Sequence, residues 1–384
     1  MDVTQNETGT TFAELGPSSR VAEAYKKLLR YIHVHKLTPG DHLPPQEELR
    51  NELGYSHHTL SKAMGMLTDA GVVSRKPKVG TIVQNPEAVL KGVWTVGLIT
   101  QPQEVLEVPF FAFLSNLLQS QLIRMGCRVH MYPNIDGSGS DRLEHFPGLP
   151  EEVAAERLDG VMATVQLQRN ATRSITDNDI VLVHVGPGEK SENAVCIDQR
   201  AMVKKAADLF ISGGCRQLAV VSNFGEGSGE IGFWRGFQEA LDESPEHQSD
   251  GESLHEGNGP ESGTEVARKI LERPASERPD GLIVVDDRIA MGLTVELSKT
   301  EDYRPRIAVQ ANREVPLAFP IPVTRFYVNI EEMARLGAQK MVRQLRDPSE
   351  PDGVTWLEPQ ILTGENDDSQ RNGFSIKTKS WDSP

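Results

Sequence analysis

Between Trp94 and Arg346, short runs of β-branched and apolar residues alternate with longer stretches whose apolar residues recur every three or four positions. Trp94–Thr100, Arg128–Tyr132, Gly160–Thr164, Ile180–Val185, Gln217–Ser222, Gly281–Val285 and Arg306–Gln310 read as strands. Phe111–Met125, Gln199–Ser212, Ile231–Leu241, Gly263–Leu271, Ile289–Ser298 and Ile330–Arg346 read as helices. A strand that returns to its sheet through a helix must lie parallel to its predecessor, so this rhythm restricts most of the chain to an α/β class with parallel sheets. Two polar segments, 134–150 and 242–262, interrupt it and read as surface loops.

The first part of the chain has another rhythm. Residues 1–17 lack periodicity and read as a disordered tail. From Ser18, Val21, Tyr25, Leu28, Leu29 and Ile32 follow helical spacing until "LTPG" breaks it. "LPPQEEL" opens a second helix, with Pro45 suited to a first helical position and acidic residues at the positive end of the helix dipole. That helix ends near Gly54. Ser56 is an N-cap for a third, whose inner face is Leu60, Ala63, Met64 and Leu67 and whose outer face carries His57, His58, Ser61 and Lys62. Gly71 ends it, and Val72–Arg75 and Thr81–Val83 form a hairpin across "KPKVG". Three helices and a two-stranded hairpin make a winged helix-turn-helix.

Charge supports that reading. The chain has 384 residues and a formal net charge of −15, yet residues 18–85 carry ten Lys and Arg against six Asp and Glu. A basic segment on an acidic protein suits a polyanion. Arg75, Lys76 and Lys78 on the hairpin would release counterions along phosphates, and Gly80 would let the backbone approach closely. Ser56, His57, His58, Thr59, Ser61 and Lys62 would face the major groove. His33, His35 and His42 read as solvated surface.

The segments "LTPGDHLPPQEEL", "LGYSHHTLSKAMGMLTDAGVVSR" and "VGTIV" resemble the GntR-type winged helix of bacterial transcription regulators. Glu47, His57 and Ser61 stand where arginines of that family touch DNA, and Lys78 replaces its first wing glycine, so the resemblance implies the fold with an altered sequence preference. After a linker, "NPEAVLKG" (86–92 within it), an ordered series resembles the LacI-type effector domain, which is similar to periplasmic sugar-binding proteins: "WTVGLIT", "LDGVMAT", "AVCIDQRAMVKKAADLFISGGCRQLAVVS", "FWRGFQEAL", "RPDGLIVVDDRIAMGLTVEL", "RIAVQAN" and "TRFYVNIEEMARLGAQKMV". The resemblance implies two lobes joined by three crossovers, an effector in the cleft, and a domain over 93–364 followed by a tail, 365–384. It also implies effector contacts at Phe110 or Phe111, at Asp286 and Asp287 (the family's "ND" pair), and at Asn312 (the Asp of its "GfD"). Phe233 replaces the family's arginine of "RxxGF", with Arg235 two residues on as the candidate effector contact. A helix cap is the structural alternative for Asp287, and core packing for the two phenylalanines.

The expectation is a ligand-responsive DNA-binding transcription regulator, a repressor, binding operator DNA as a dimer and sensing a small molecule of the sugar class. No enzyme, metal or cofactor is expected. "GEGSGEIG" (225–232) contains GxGxxG, but Glu226 and Glu230 would repel phosphate and no GKS/T follows. No HExxH or GxSxG occurs, and three isolated cysteines signal neither a disulfide framework nor a zinc site. With no signal peptide and no apolar run of membrane length, a cytoplasmic protein is expected. The alternative is a solute-binding protein or nucleotide-binding α/β enzyme with an accessory nucleic-acid module.

Overall fold

The computed structural model describes residues 19–88, 92–100, 109–134, 141–187, 193–222, 232–244, 251–254, 257, 259–348 and 353–361. The two tails, and the GxGxxG segment up to residue 231, lie outside them. The chain divides into two compact units, residues 1–196 with 330–357, and residues 197–329 with 358–384. It passes from one unit to the other three times, after Cys196, Asn329 and Leu357.

The first unit opens with α1 (Arg20–Val34), α2 (Gln46–Leu53) and α3 (His57–Asp69), then β1 (Val73–Lys76) and β2 (Gly80–Val83). Ser19 caps α1 by accepting the Ala22 N–H, and Gly54 closes α2 in the left-handed conformation. Pro45 is the N-cap of α2, not its first turn. Tyr25, Leu28, Leu29, Ile32, Leu49, Leu60, Met64 and Leu67 are buried together with Val73 and Val83 of the hairpin. The hairpin is antiparallel, pairing Val73 with Val83 and Lys76 with Gly80. His35 is exposed and stacks on Tyr31, and His42 is exposed while its backbone bridges Ile82. His33 departs from the surface reading, with 15% of its side chain exposed.

The same unit continues with β3 (Thr95–Thr100), α4 (Pro109–Arg124), β4 (Arg128–Pro133), α5 (Leu149–Ala154), β5 (Gly160–Ala163), α6 (Arg169–Thr176), β6 (Val181–Gly186) and β7 (Ala194–Ile197). The second unit holds α7 (Gln199–Ser212), β8 (Leu218–Val221), α8 (Gly232–Asp242), β9 (Glu252–Leu254), α9 (Pro260–Glu272), β10 (Gly281–Val284), α10 (Asp287–Leu297), β11 (Arg306–Asn312) and β12 (Thr324–Val328). The chain then returns through α11 (Ile330–Arg346) and β13 (Val354–Leu357) in the first unit, and ends on β14 (Gln360–Ile361) in the second.

The two sheets repeat one plan. Their strand orders are 13-7-6-5-3-4 and 14-12-11-10-8-9, and apart from 13 and 14 the strands in each run parallel. In both, the second strand pairs on one side of the first and the third on the other, which places a switch point between β3 and β5 and between β8 and β10. β5, β8 and β10 are buried along their whole length, as parallel strands covered on both faces must be. In the second unit Phe210, Phe233 and Phe237 pack with Ile283 in one apolar cluster. Val266, Ile289, Leu293 and Val284 form another.

The two segments read as surface loops are partly structured. Residues 143–145 form a 3-10 turn, α5 follows, and Leu143, Phe146 and Leu149 are buried against Tyr132 and Val161. Apolar residues spaced three apart in a polar stretch anchor this segment to the core. Within 242–262, β9 adds a parallel edge strand to β8, and α9 starts at Pro260. No helix among the described residues is long and apolar enough to cross a membrane.

Candidate functional site

Two surfaces carry the residues singled out above. In the reader, the segment spanning α1 to β2, the Ser56 hydroxyl accepts the Thr59 N–H at 3.1 Å and meets the Thr59 hydroxyl at 2.9 Å. This cap sets the start of α3. His57, His58 and Lys62 are exposed, and Thr59 and Ser61 are half-buried. None of these five is among the buried core residues, so they are available on one exposed face of α3.

Arg75, Lys76, Lys78 and Gly80 are exposed on the wing, with Val79 at its tip 53% exposed. Gly80 has φ +111°, a conformation strained for any side chain. Lys78 has φ +63°, in the left-handed region where glycine would sit without cost. A lysine is thus held at a turn position that local sterics would give to glycine.

Gln46 was not visible as a functional residue in the sequence. Its amide donates to the His57 carbonyl at 3.3 Å and accepts from the Arg75 guanidinium at 3.4 Å. It therefore ties the wing to the first turn of α3. No sequence pattern signals a contact across 29 residues. Glu47 has 80% of its side chain exposed and pairs loosely with Arg50 at 3.5 Å.

The second surface is at the carboxyl ends of β10 and β11, beside the switch point of the second unit, where doubly wound sheets bind ligands. Asp286 is the N-cap of α10, its carboxylate accepting the Arg288 and Ile289 N–H groups at 2.9 and 3.1 Å. The capping role considered for Asp287 thus falls to its neighbour. Asp287 instead accepts from the Asn312 amide at 2.7 Å. Burial, then the adjacent Asp286 carboxylate, pushes Asp287 up to about 7, against the lowering effect of that hydrogen bond. Asn312 is 8% exposed, and its buried Oδ1 has no hydrogen-bond partner. A buried acceptor left open costs free energy until a donor reaches it.

In the first unit Phe110 and Phe111 open α4, after the carboxyl end of β3. Their rings meet edge to face at 5.1 Å, with Phe110 8% exposed and Phe111 half-buried. Arg235 is not drawn to the carboxyl ends: it is 72% exposed on α8 and pairs with Glu239 at 3.4 Å, while Phe233 beside it is core. Among the described residues no His, Cys, Asp and Glu cluster could hold a metal ion.

Residues 20–83 match the family of bacterial regulatory proteins of the gntR family, and residues 207–365 match a periplasmic binding protein-like domain. Histidine utilization repressors from Pseudomonas putida and Klebsiella aerogenes are 33% and 35% identical over 72 and 75 residues. These stretches cover 19% and 18% of this chain and 29% and 31% of the relatives, so the chain spans under a third of the curated relatives it matches. A LacI family transcriptional regulator from Enterococcus faecium with bound ribose superposes with a TM-score of 0.56 at 18% identity, covering 70% of this chain and 97% of that one. The Cra regulator from Pseudomonas putida in complex with fructose 1-phosphate gives 0.56 at 16%, covering 70% and 98%. The CelR–cellobiose complex gives 0.58 at 18%, covering 82% and 93%. At these identities the structural likeness shows the fold. The chain carries a GntR-type helix-turn-helix ahead of a periplasmic-binding-protein-like α/β domain.

Proposed function

We propose that this chain, a GntR-type winged helix joined to a periplasmic-binding-protein-like domain, is a ligand-responsive repressor of transcription. The observation that carries the proposal is the pairing, in one chain, of an exposed basic wing and outward-facing α3 with a doubly wound domain whose switch point holds a buried open acceptor at Asn312. The relatives matched at the reader are repressors, which supports repression as the sign of the response. The domain boundaries proposed are 18–85 for the reader, 86–92 for the linker and 93–364 for the sensor.

DNA contact is assigned to His57, His58, Ser61 and Lys62 on α3, with Ser56 and Thr59 fixing the helix start. Arg75, Lys76, Lys78 and Gly80 meet the backbone. Effector contact in the second unit is assigned to Asn312 and Asp287, with Asp286 positioning them; in the first unit Phe110 or Phe111 is the candidate apolar contact. Arg235 has no part in the assignment. An open amide oxygen calls for a ligand hydroxyl or N–H, and the neighbours' sugars carry such donors; sugars are therefore the effector class proposed. A non-enzymatic role is part of the proposal, since the residues assigned bind and position and none is a paired nucleophile and base.

The proposed assembly is a homodimer on an inverted repeat, because one small reader offers few contacts and two half-sites multiply them. Selection from a random duplex library with the full chain tests this. The expected enrichment is an inverted repeat with half-sites about 10 base pairs apart or a multiple of that. Retention of duplexes without any sequence enrichment, or a strict monomer at micromolar concentration with and without DNA, would contradict it.

A further inference from the structure

The outer face of α1 carries charge that a freely tethered reader has no use for. Lys26, Arg30 and His33 sit at i, i+4 and i+7 and form one stripe, alongside the face whose side chains build the reader core. Each meets the α/β part of the first unit or the segment leading to it. The Lys26 ammonium donates to both carboxylate oxygens of Asp159 at 2.7 and 2.6 Å, with only 13% and 12% of the two side chains exposed. Asp159, just before β5, also accepts the Thr95 N–H at 2.8 Å, which fixes it against the start of β3.

Arg30 donates from Nε to the Leu345 carbonyl at 3.0 Å. That carbonyl is in the last turn of α11, where oxygens lack helical partners and the dipole favours a cation. Both cations also lie over the ring of the fully buried Trp94, Lys26 at 5.7 Å and Arg30 at 5.4 Å. Burial lowers the basicity of Arg30, and Asp159 partly restores it. A third contact is wetter: Arg346 holds the carboxylate of Glu87, which is 67% exposed, and its backbone carbonyl at 3.1 Å. A cavity of about 800 Å³ lined by His33, Glu87 and Arg346 runs beside it.

Taking an ammonium and a carboxylate out of water is tolerated only where the two meet with their remaining hydrogen bonds satisfied, and removing one partner leaves an uncompensated buried charge. Such a pair between two modules therefore marks a seat. We propose that the reader is docked on its own sensor, held by Lys26 on Asp159 and Arg30 on the end of α11, with Trp94 as the floor of the seat. The occupant of this surface is the α1 face of the same chain. The seat is placed to matter: Ile330, the first residue of α11, directly follows the second passage of the chain between the two units, and the last turn of that helix holds Arg30. The docking itself is independent of the function proposed above and is tested without DNA.

The three native cysteines are buried, so Val79→Cys at the exposed wing tip gives one site for a fluorophore in the full-length chain. Time-resolved anisotropy then separates a reader that tumbles with the whole molecule from one that turns on a tether. In the otherwise native chain the decay should follow whole-molecule tumbling beyond local dye motion. Lys26→Glu with Arg30→Ala should add a fast component of reader rotation, and Lys26→Arg should not. Circular dichroism checks folding, and Asp159→Asn, which keeps an acceptor for Thr95, repeats the test from the opposite side if the double variant does not fold. A fast reader component already present in the native chain would overturn the proposal. So would decays indistinguishable among the native, Lys26→Glu/Arg30→Ala and Asp159→Asn chains.

Discussion

The reader and the second unit hold their polar residues in opposite ways. In the reader, the residues assigned to DNA project from a core to which none of them contributes: Leu60, Ala63, Met64 and Leu67 build α3 inward while His57, His58 and Lys62 face out. At the switch point of the second unit, the candidate residues also shape the fold, since Asp286 caps α10 and Asp287 is buried against Asn312. Substitutions of the outward side chains of α3, His57, His58 and Lys62, should therefore change DNA binding and leave stability alone. Those at the switch point should move stability, pH dependence or ligand binding, according to whether the residue changed caps, titrates or holds the open acceptor.

Asp287 gives the largest expected effect. Its carboxyl titrates near 3.8 when unfolded and at about 7 in the native protein. The native state thus binds the extra proton, and the stabilisation this brings is complete below pH 4 and disappears as pH rises through 7. Asp287→Asn keeps an acceptor for the Asn312 amide and removes the titration. Relative to the native chain it should gain on the order of 4 kcal/mol between pH 4 and pH 8. Urea unfolding of both proteins across that range is the check, and a constant difference would place Asp287 in water.

Next come the two neighbours, which separate binding from folding. Asn312→Ala should weaken binding of the sugar found by thermal-shift screening by about 1–3 kcal/mol. It should leave DNA affinity in the absence of that sugar unchanged. Asp286→Ala should instead cost about 1 kcal/mol of stability through removal of the helix cap, a structural effect that the sequence reading of Asp286 as ligand contact did not include. Equal stability of the two variants would erase the distinction between contact and cap. The smallest effect is on the wing. Lys78→Gly should stabilise the protein by up to about 1 kcal/mol, since glycine takes a positive φ without strain. The same change should lower affinity for every duplex, so stability and binding move in opposite directions.

The legible parts of the fold are those with strong periodicity. Gln199–Ser212 and Ile330–Arg346 form helices with the bounds expected from their apolar spacing. Short elements escaped: β7 is four residues long, and α6, "RNATRSIT", buries only Ala171 and Ile175. β9 is three half-buried residues at a sheet edge and owes its existence to pairing with β8, which no local pattern encodes. At the switch point the acidic pair stood out in the sequence, but the division of roles within it did not. Adjacent aspartates both suit an N-cap, and only the backbone shows that Asp286, extended at φ −144°, takes it and leaves Asp287 for Asn312. Gln46 was illegible as a bridge because its partners are set by tertiary packing.

The proposed function depends most on a separation of roles within the reader, in which wing charges are assigned affinity and α3 is assigned preference. The direct measurement is binding of the native chain, Lys76→Ala/Lys78→Ala and His58→Ala to the selected operator and a scrambled duplex across a salt series. The wing variant should weaken both duplexes alike and flatten the slope of log affinity against log salt by about 0.9 for each phosphate it no longer neutralises. His58→Ala should leave that slope and reduce the preference for the operator, since base-edge hydrogen bonds carry about 1–3 kcal/mol of discrimination. A wing variant that alters preference with the native salt slope would contradict this separation.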